Sequence, residues 1–158
     1  MILTSLGAGI TTSAGIHFDQ LKTTQANLGS MMSGYYRYGQ SKIANILYAR
    51  ELAHRYPDLI AVAVHLGVVK TELVTTRGFG ERAFISFSQW IQGAAVRTPE
   101  QGAWNSLWAS TAAKEKIKSG AWYEPVGKPG RTMKFAQDDE LAKKLYDWTE
   151  KELAPWMN

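Results

Sequence analysis

Residues 59–67, "LIAVAVHLG", form a continuous apolar run that leaves few folds open to this chain. Successive apolar positions are typical of a strand in a parallel sheet that is covered on both faces. The run follows a segment, about residues 36–56, in which apolar side chains recur every three or four residues, as in a helix. A shorter apolar run, "MILTS", begins the chain. Strand, helix and strand in this order predict a right-handed βαβ unit.

The rest of the chain extends this α/β pattern. We predict three mainly parallel strands at residues 2–5, 60–65 and 121–124, with helices between them. Thr98, Pro99 and Gln101 form a capping box with proline at the first helical position, which predicts a helix start. "DDELAKKLYDWTEKEL" predicts an amphipathic helix with acidic residues at its positive end. Residues 10–34 show no sustained period and are predicted to be loop. A chain of 158 residues is long enough for one domain with its own core, so we expect residues 1–158 to form a single domain.

Composition excludes several classes of protein. The chain has no cysteine, so it forms neither disulfides nor a thiolate metal site, and its three histidines share no metal-ligand spacing. We therefore expect no metal. No apolar run approaches the roughly 20 residues of a membrane span, and no signal peptide is visible, so we expect a cytoplasmic protein. The net charge of +4 comes from scattered lysines and arginines, which disfavours nucleic acid as a partner.

The segment "GYYRYGQSK" places Tyr38 one helical turn before Lys42. An ammonium beside a phenol stabilises the phenolate, so that the phenol can exchange a proton near neutral pH. Ser5 lies at the carboxyl end of the first predicted strand, where ligands collect in open parallel sheets. Gly67 and Thr71 follow the second strand toward the same edge. Plainer roles also fit: Tyr38 as a packed aromatic, Lys42 as a solvated lysine, Ser5 as a strand-end serine and Thr71 as a helix cap.

Taken in order, these segments resemble the C-terminal half of short-chain dehydrogenases/reductases, with fungal retinol-dehydrogenase-like and WW-domain-oxidoreductase-like members as the nearest type. "YGQSK" matches the family's Tyr-x-x-x-Lys, and "ILTSLG" matches the strand that delivers its serine. "HLGVVKTEL" matches the Pro-Gly-x-x-x-Thr segment, and "TPEQGAWNSLWA" and "GAWYEPVGKPG" match later elements. The resemblance covers nearly the whole chain. It implies the C-terminal part of a Rossmann-like doubly wound sheet.

The resemblance also implies roles for individual residues. Tyr38 would be the proton donor or acceptor at the substrate oxygen, Ser5 would orient the carbonyl, and Lys42 would also bind the nicotinamide ribose. Together with Tyr38 and Lys42, the residues Gly67, Val69 and Thr71 would bind the nicotinamide end of NADP or NAD, with NADP slightly favoured. The aromatic segment of about residues 74–97 would bind a small, apolar carbonyl or alcohol substrate. The family further implies a homo-oligomer.

Three departures from the family pattern stand out. The glycine-rich phosphate loop and the Asn-Asn-Ala-Gly segment are absent from these 158 residues, so we expect them to lack the N-terminal phosphate-binding half. Leu66 replaces the family proline. A dinucleotide is held mainly by its pyrophosphate at the glycine-rich helix start. We therefore expect residues 1–158 alone not to turn over a carbonyl substrate with NAD(P)H.

Two other hypotheses stay open beside the oxidoreductase. One is a truncated, inactive family member that serves as an interaction or oligomerisation module. The other is a phosphate- or nucleic-acid-binding module that uses the positive charge. Titration with cofactor separates the first of these from the enzyme, and salt-dependent binding to an oligonucleotide would support the second.

Overall fold

The computed structural model describes residues 1–28, 32–69 and 96–157. The strands in these ranges are β1 (Ile2–Thr4), β2 (Ala63–His65), β3 (Val68–Val69), β4 (Val96–Arg97), β5 (Trp122–Glu124) and β6 (Lys128–Pro129). The α-helices are α1 (Ser33–Arg55), α2 (Pro99–Thr111) and α3 (Asp139–Leu153). Short 3-10 helices cover Leu6–Gly9, Phe18–Gln20, Ala26–Leu28, Lys114–Lys116 and Ala154–Trp156.

The main sheet has the order β1-β2-β5-β6. β1 and β5 both pair with β2 in parallel, with Thr4 opposite His65, and β6 turns back antiparallel to β5. β3 and β4 form a separate parallel pair. The predicted α/β fold with a mainly parallel sheet is confirmed, whereas the sequence pattern did not predict β3, β4 and β6.

Helices cover both faces of the sheet, which makes it three-layered. On one face, side chains of α1 and α3 such as Ile46, Leu47 and Leu145 form a core with Ala63 and Trp122. On the other face, side chains of α2 and its surroundings pack on a second core. That core contains Val62, Val64 and Tyr123, with Trp108 and Ala109 from α2. The alternation of Ala63 and Val64 between the two cores explains why the run at residues 59–67 is apolar throughout.

The observed element ends differ from the predicted ends for identifiable reasons. β2 begins at Ala63 rather than at residue 60, because the side chain of Ser119 accepts the amide proton of Ala61 at 3.0 Å, in place of a partner strand. β1 ends at Thr4, because Ser5 already caps the following 3-10 helix. α1 begins at Ser33, about one turn earlier than the apolar period predicted.

The predicted starts of α2 and α3 have identifiable caps. The Gln101 amide donates to Thr98 Oγ1 at 3.3 Å, and the Thr98 amide donates to Gln101 Oε1 at 3.0 Å. Asp138 caps α3 by accepting the Leu141 amide proton at 2.9 Å. None of the helices in the described ranges is long and apolar enough to cross a bilayer.

Asn105 is a fully buried polar residue that ties the carboxyl ends of two strands together. Its amide nitrogen donates to the carbonyl oxygens of His65 at 2.7 Å and Tyr123 at 3.1 Å. Its amide oxygen accepts the Gly127 amide proton at 2.9 Å. Since α2 carries this side chain, one residue fixes α2, β2, β5 and the β5–β6 turn relative to one another.

Replacing Asn105 by alanine is expected to lower the free energy of unfolding by about 2–4 kcal/mol. The truncation leaves a buried amide proton and two carbonyl oxygens without partners, at roughly 1–3 kcal/mol per unsatisfied group. Urea denaturation followed by tryptophan fluorescence measures the change. Ser110→Ala, which removes an exposed hydroxyl from the same helix, is the control and should change stability by no more than about 0.5 kcal/mol. Equal stability of the two variants would contradict the role of Asn105.

Candidate functional site

Ser5 stands where β1 ends and the 3-10 helix Leu6–Gly9 begins. Its backbone is extended, and its hydroxyl oxygen accepts the Gly7 amide proton at 3.2 Å. This bond fixes the oxygen and leaves the hydroxyl proton for another acceptor. Within the described ranges no group accepts that proton. Ser5 can therefore donate a hydrogen bond to a ligand at the carboxyl edge of the sheet.

Two glycines bring the Ser5 loop against α1. A Cβ atom on Gly7 would lie 2.6 Å from Cε1 of Tyr38 and 3.6 Å from Oγ of Ser5, so that ring and that hydroxyl flank the same point. A Cβ atom on Gly39 would overlap the carbonyl oxygen of Ile10. Close backbone approach of loop and helix is possible because both positions lack a side chain. No local sequence pattern marks either glycine as important.

Tyr38 and Lys42 lie one turn apart on α1, with Lys42 Nζ 5.7 Å from the centre of the Tyr38 ring. Tyr38 is 48% exposed. Among the described residues, none forms a hydrogen bond with the Tyr38 hydroxyl or an ion pair with the Lys42 ammonium. The structure thus brings Ser5, Tyr38 and Lys42 together at one edge of the sheet, with polar atoms available for a ligand.

Two side chains with no marked sequence signal hydrogen-bond α1 to β1. The Thr4 hydroxyl donates to the carbonyl oxygen of Lys42 at 2.8 Å. Asn45, one turn further along α1, donates to the carbonyl oxygen of Leu3 at 2.7 Å. Both bonds fix the height of the helix against the strand end. In the sequence, the bond from Asn45 to Leu3 is signalled only by a polar residue three positions after Lys42.

Gly67 and Val69 follow β2 toward the same edge. Gly67 has φ of +86°, a conformation that favours glycine. Val69 pairs with Arg97 in the β3–β4 ladder, and its side chain packs against Gly102 of α2. The Val69 side chain is thereby engaged with the helix, so its backbone is the part that a ligand could reach. Thr71 and the aromatic side chains expected to bind substrate lie outside the described residues.

His65 lies beneath this edge and is only 5% exposed. Burial lowers its pKa to about 4, and the nearby Arg131 and Arg97 also lower it, against the opposing effect of Glu124. Arg131 donates from Nε to Oε1 of Glu124 at 2.9 Å and from Nη2 to Oε2 at 2.8 Å. These bonds hold the pKa of the Glu124 carboxyl below its usual range. His65 is thus neutral at pH 7. A histidine that closes an apolar strand is more often a core residue than a catalytic base, and the burial of His65 agrees with a place in the core.

Metal binding at the described part of this edge would depend on acidic and imidazole side chains. No group of three or more histidine, cysteine, aspartate or glutamate side chains in the described ranges could hold a metal ion. The chemistry available at this edge is that of a hydroxyl, a phenol, an ammonium group and backbone amides. This set can move a proton and orient an oxygen.

Comparison with known proteins identifies the group to which the chain belongs. No family model matches it. It is 32% identical over 163 residues to the short-chain dehydrogenase/reductase drtF of Aspergillus calidoustus, covering 96% of this chain and 48% of that protein. It is 34% identical to an uncharacterized oxidoreductase of Schizosaccharomyces pombe, covering 87% of this chain and 40% of the relative. Human retinol dehydrogenase 14 is 29% identical, over 85% and 39% of the respective chains.

The chain is a member of the short-chain dehydrogenase/reductase family. It spans less than half the length of these curated relatives. A solved structure of an uncharacterized protein from Mycobacterium paratuberculosis matches the fold with a TM-score of 0.62 at 21% identity. That match covers 94% of this chain and 47% of the solved one, and it supports the α/β fold alone.

Gly39→Ala is expected to destabilise the protein by about 1–3 kcal/mol, because the new methyl group must displace the Ile10 carbonyl. Gly34→Ala, in the same helix with open space around it, should stabilise by up to about 1 kcal/mol. Urea denaturation measures both changes. In ¹H–¹⁵N spectra, the amides of residues 5–10 should shift in Gly39→Ala and not in Gly34→Ala. Parallel behaviour of the two variants would contradict the close loop–helix contact.

The depressed pKa of His65 predicts a pH-dependent stability. Between pH 6.5 and about 4, the unfolded chain binds a proton at this residue and the folded chain does not. Its contribution is therefore complete above pH 6.5 and is lost as the pH falls toward 4. From pH 7.5 to pH 5.0, wild type should lose about 2 kcal/mol more than His65→Gln, at roughly 1.4 kcal/mol per pH unit.

Urea denaturation at the two pH values checks this expectation. The exposed His54 supplies the control, because His54→Gln removes an imidazole from the same chain without touching the sheet. That variant should keep the pH response of wild type. A wild-type response that His65→Gln leaves unchanged would show that His65 titrates alike in the folded and unfolded chains.

Proposed function

We propose that this chain is the catalytic part of an NAD(P)-dependent oxidoreductase that interconverts a carbonyl and an alcohol. The main support for the proposal is that the Ser5 hydroxyl and the Tyr38 ring both lie beside Gly7, with Lys42 one turn further along α1. Membership of the short-chain dehydrogenase/reductase family supports it. The proposal extends from the family to a reaction and to the residues that perform it.

Each of the three side chains has one task in the proposed reduction. The Ser5 hydroxyl donates a hydrogen bond to the substrate carbonyl oxygen and orients it, while its own oxygen is held by the Gly7 amide. The Tyr38 hydroxyl transfers its proton to that oxygen as the alcohol forms. The Lys42 ammonium stabilises the resulting phenolate by its charge. In the oxidation direction the proton returns to Tyr38.

The residues present fit the nicotinamide end of NAD or NADP. Lys42 offers an ammonium with no ion-pair partner among the described residues, which suits a ribose hydroxyl. Gly67 turns the backbone sharply just beyond β2, and Val69 offers its backbone beside that turn. Thr71 belongs to the same proposed set. The bound nicotinamide would supply or accept the hydride. We propose NADP or NAD as the cofactor, with NADP slightly favoured.

We propose a small, apolar substrate for this site. The support is the aromatic composition of residues 74–97 and the similarity to retinol dehydrogenase 14, which is named for an apolar alcohol. A homo-oligomer is also proposed. Within the described sheet β1 is paired on one side only, and Leu3 on this strand is 45% exposed. An open strand edge with an exposed apolar side chain favours pairing with another chain.

The proposal predicts the effect of Tyr38→Phe in a chain that can hold the whole cofactor. Residues 1–158 fused to the N-terminal part of drtF should reduce an aromatic aldehyde with NADPH or NADH, followed by absorbance at the reduced nicotinamide band. Tyr38→Phe should lower kcat by at least about a hundredfold, because general acid catalysis contributes roughly 10²–10⁴-fold. The Kd for the cofactor should change by less than about threefold, because the ring still packs on Gly7.

Control variants separate the outcomes of this experiment. Tyr36→Phe removes a neighbouring phenol from the same helix and should leave kcat unchanged. Residues 1–158 alone give the baseline, for which we expect no turnover. Full turnover by Tyr38→Phe would remove Tyr38 as proton donor. A folded fusion that binds cofactor in no variant would favour the alternative, a catalytically inactive interaction module.

A further inference from the structure

Arg97 reaches the carboxyl end of β2 from a distant part of the sequence. It ends β4, where it pairs with Val69. Its Cδ and Nε atoms lie 2.7 and 2.9 Å from the point that a Cβ atom on Gly67 would occupy. The Cδ and Nε atoms of Arg97 therefore lie directly against the Gly67 backbone. A side chain at position 67 would push it away, which gives Gly67 a second reason to be glycine besides its φ.

The charge of Arg97 is not neutralised within the described part of the chain. Arg50, Arg55 and Arg131 each hold at least one carboxylate, on Asp139, on Glu51 and Asp147, and on Glu124 respectively. Arg97 is partly buried, yet no carboxylate in the described ranges lies within ion-pair distance of it. A guanidinium without an acidic partner in the fold can form charge-assisted hydrogen bonds with a bound anion.

Two further features raise the positive potential at this point. Arg97 immediately precedes Thr98, the N-cap of the 13-residue helix α2, so the positive end of that helix lies beside it. Its charge also reaches His65, whose pKa it helps to lower. Glu124, the acidic group near His65, is engaged by Arg131. The edge beside Gly67 is thus positive, and Arg97 lies at it.

We propose that Arg97 binds the phosphate group next to the nicotinamide riboside of the dinucleotide. This inference rests on the proposed function, which puts the nicotinamide end of the cofactor at Gly67 and Val69. Arg97 is in contact with the first of these residues and paired with the second, so an anion attached to the nicotinamide ribose lies within its reach. Arginine suits this task because its planar fork matches two phosphate oxygens. A carboxylate on the substrate offers the same chemistry from a second source.

The experiment compares nicotinamide mononucleotide with nicotinamide riboside, which lacks the phosphate. Each is titrated into ¹⁵N-labelled residues 1–158 at low salt, with the backbone amides and the arginine Nε–Hε resonances followed by NMR. Wild type should bind the mononucleotide about tenfold more tightly, as expected for a charge-assisted pair. Arg97→Gln should bind both compounds equally, and Arg97→Lys should keep part of the difference. Arg37→Gln, which removes an exposed arginine of α1, should behave as wild type.

The outcomes separate this inference from the proposed function. Equal affinity of wild type for both compounds, with shifts at Tyr38 and Gly67, would overturn the role of Arg97 and leave the proposed function standing. If neither compound binds but inorganic phosphate shifts the Arg97 Nε–Hε resonance, the proposed function fails and an anion site remains. Benzoate shifting that resonance more strongly than the mononucleotide would assign Arg97 to a substrate carboxylate and overturn the phosphate assignment. No shift with any ligand would overturn both.

Discussion

The close backbone contact between α1 and the loop after β1 determines most of what this edge of the sheet can do. Gly39 admits the Ile10 carbonyl, and Gly7 admits the ring of Tyr38. Hydrogen bonds from Thr4 and Asn45 then fix the helix at one height on the strand. Any bulkier residue at the two glycines would move helix and loop apart. Ser5 therefore lies near Tyr38 because two glycines allow close packing and two polar side chains fix the position of the helix.

A second constraint is the satisfaction of polar groups beneath the same edge. Asn105 bonds three backbone groups at the ends of β2, β5 and the turn after β5, and Arg131 neutralises Glu124. These partners are engaged within the fold. By contrast, Arg97 and Lys42 have no acidic partner in the described part of the chain. Structural polar groups beneath this edge are thus internally paired, and Arg97 and Lys42 lie beside the residues to which the proposed function assigns the cofactor.

The sequence predicted a good part of the fold because its signals were local. Continuous apolar runs, a 3.6-residue period and the Thr98–Gln101 box placed the three parallel strands and the main helices. The same logic failed for β3, β4 and β6, which are two-residue strands whose pairing depends on distant segments. It also misplaced the starts of β2 and α1. Ser119, which bonds the Ala61 amide, lies far along the chain from β2, and Ser33 and Gly34 at the start of α1 carry no apolar side chain.

For the candidate site, the sequence by itself determined which chemical groups exist and that Tyr38 and Lys42 share a helical face, because a spacing of four residues fixes this in any α-helix. Tertiary structure alone decided that Ser5 joins them, that Gly39 is required, and that Arg97 lies against Gly67, 30 residues earlier in the chain. The reason is physical. Side-chain spacing within one helix follows from backbone geometry, whereas contacts between elements depend on how closely two backbones can approach and on which polar groups remain to be satisfied when they do.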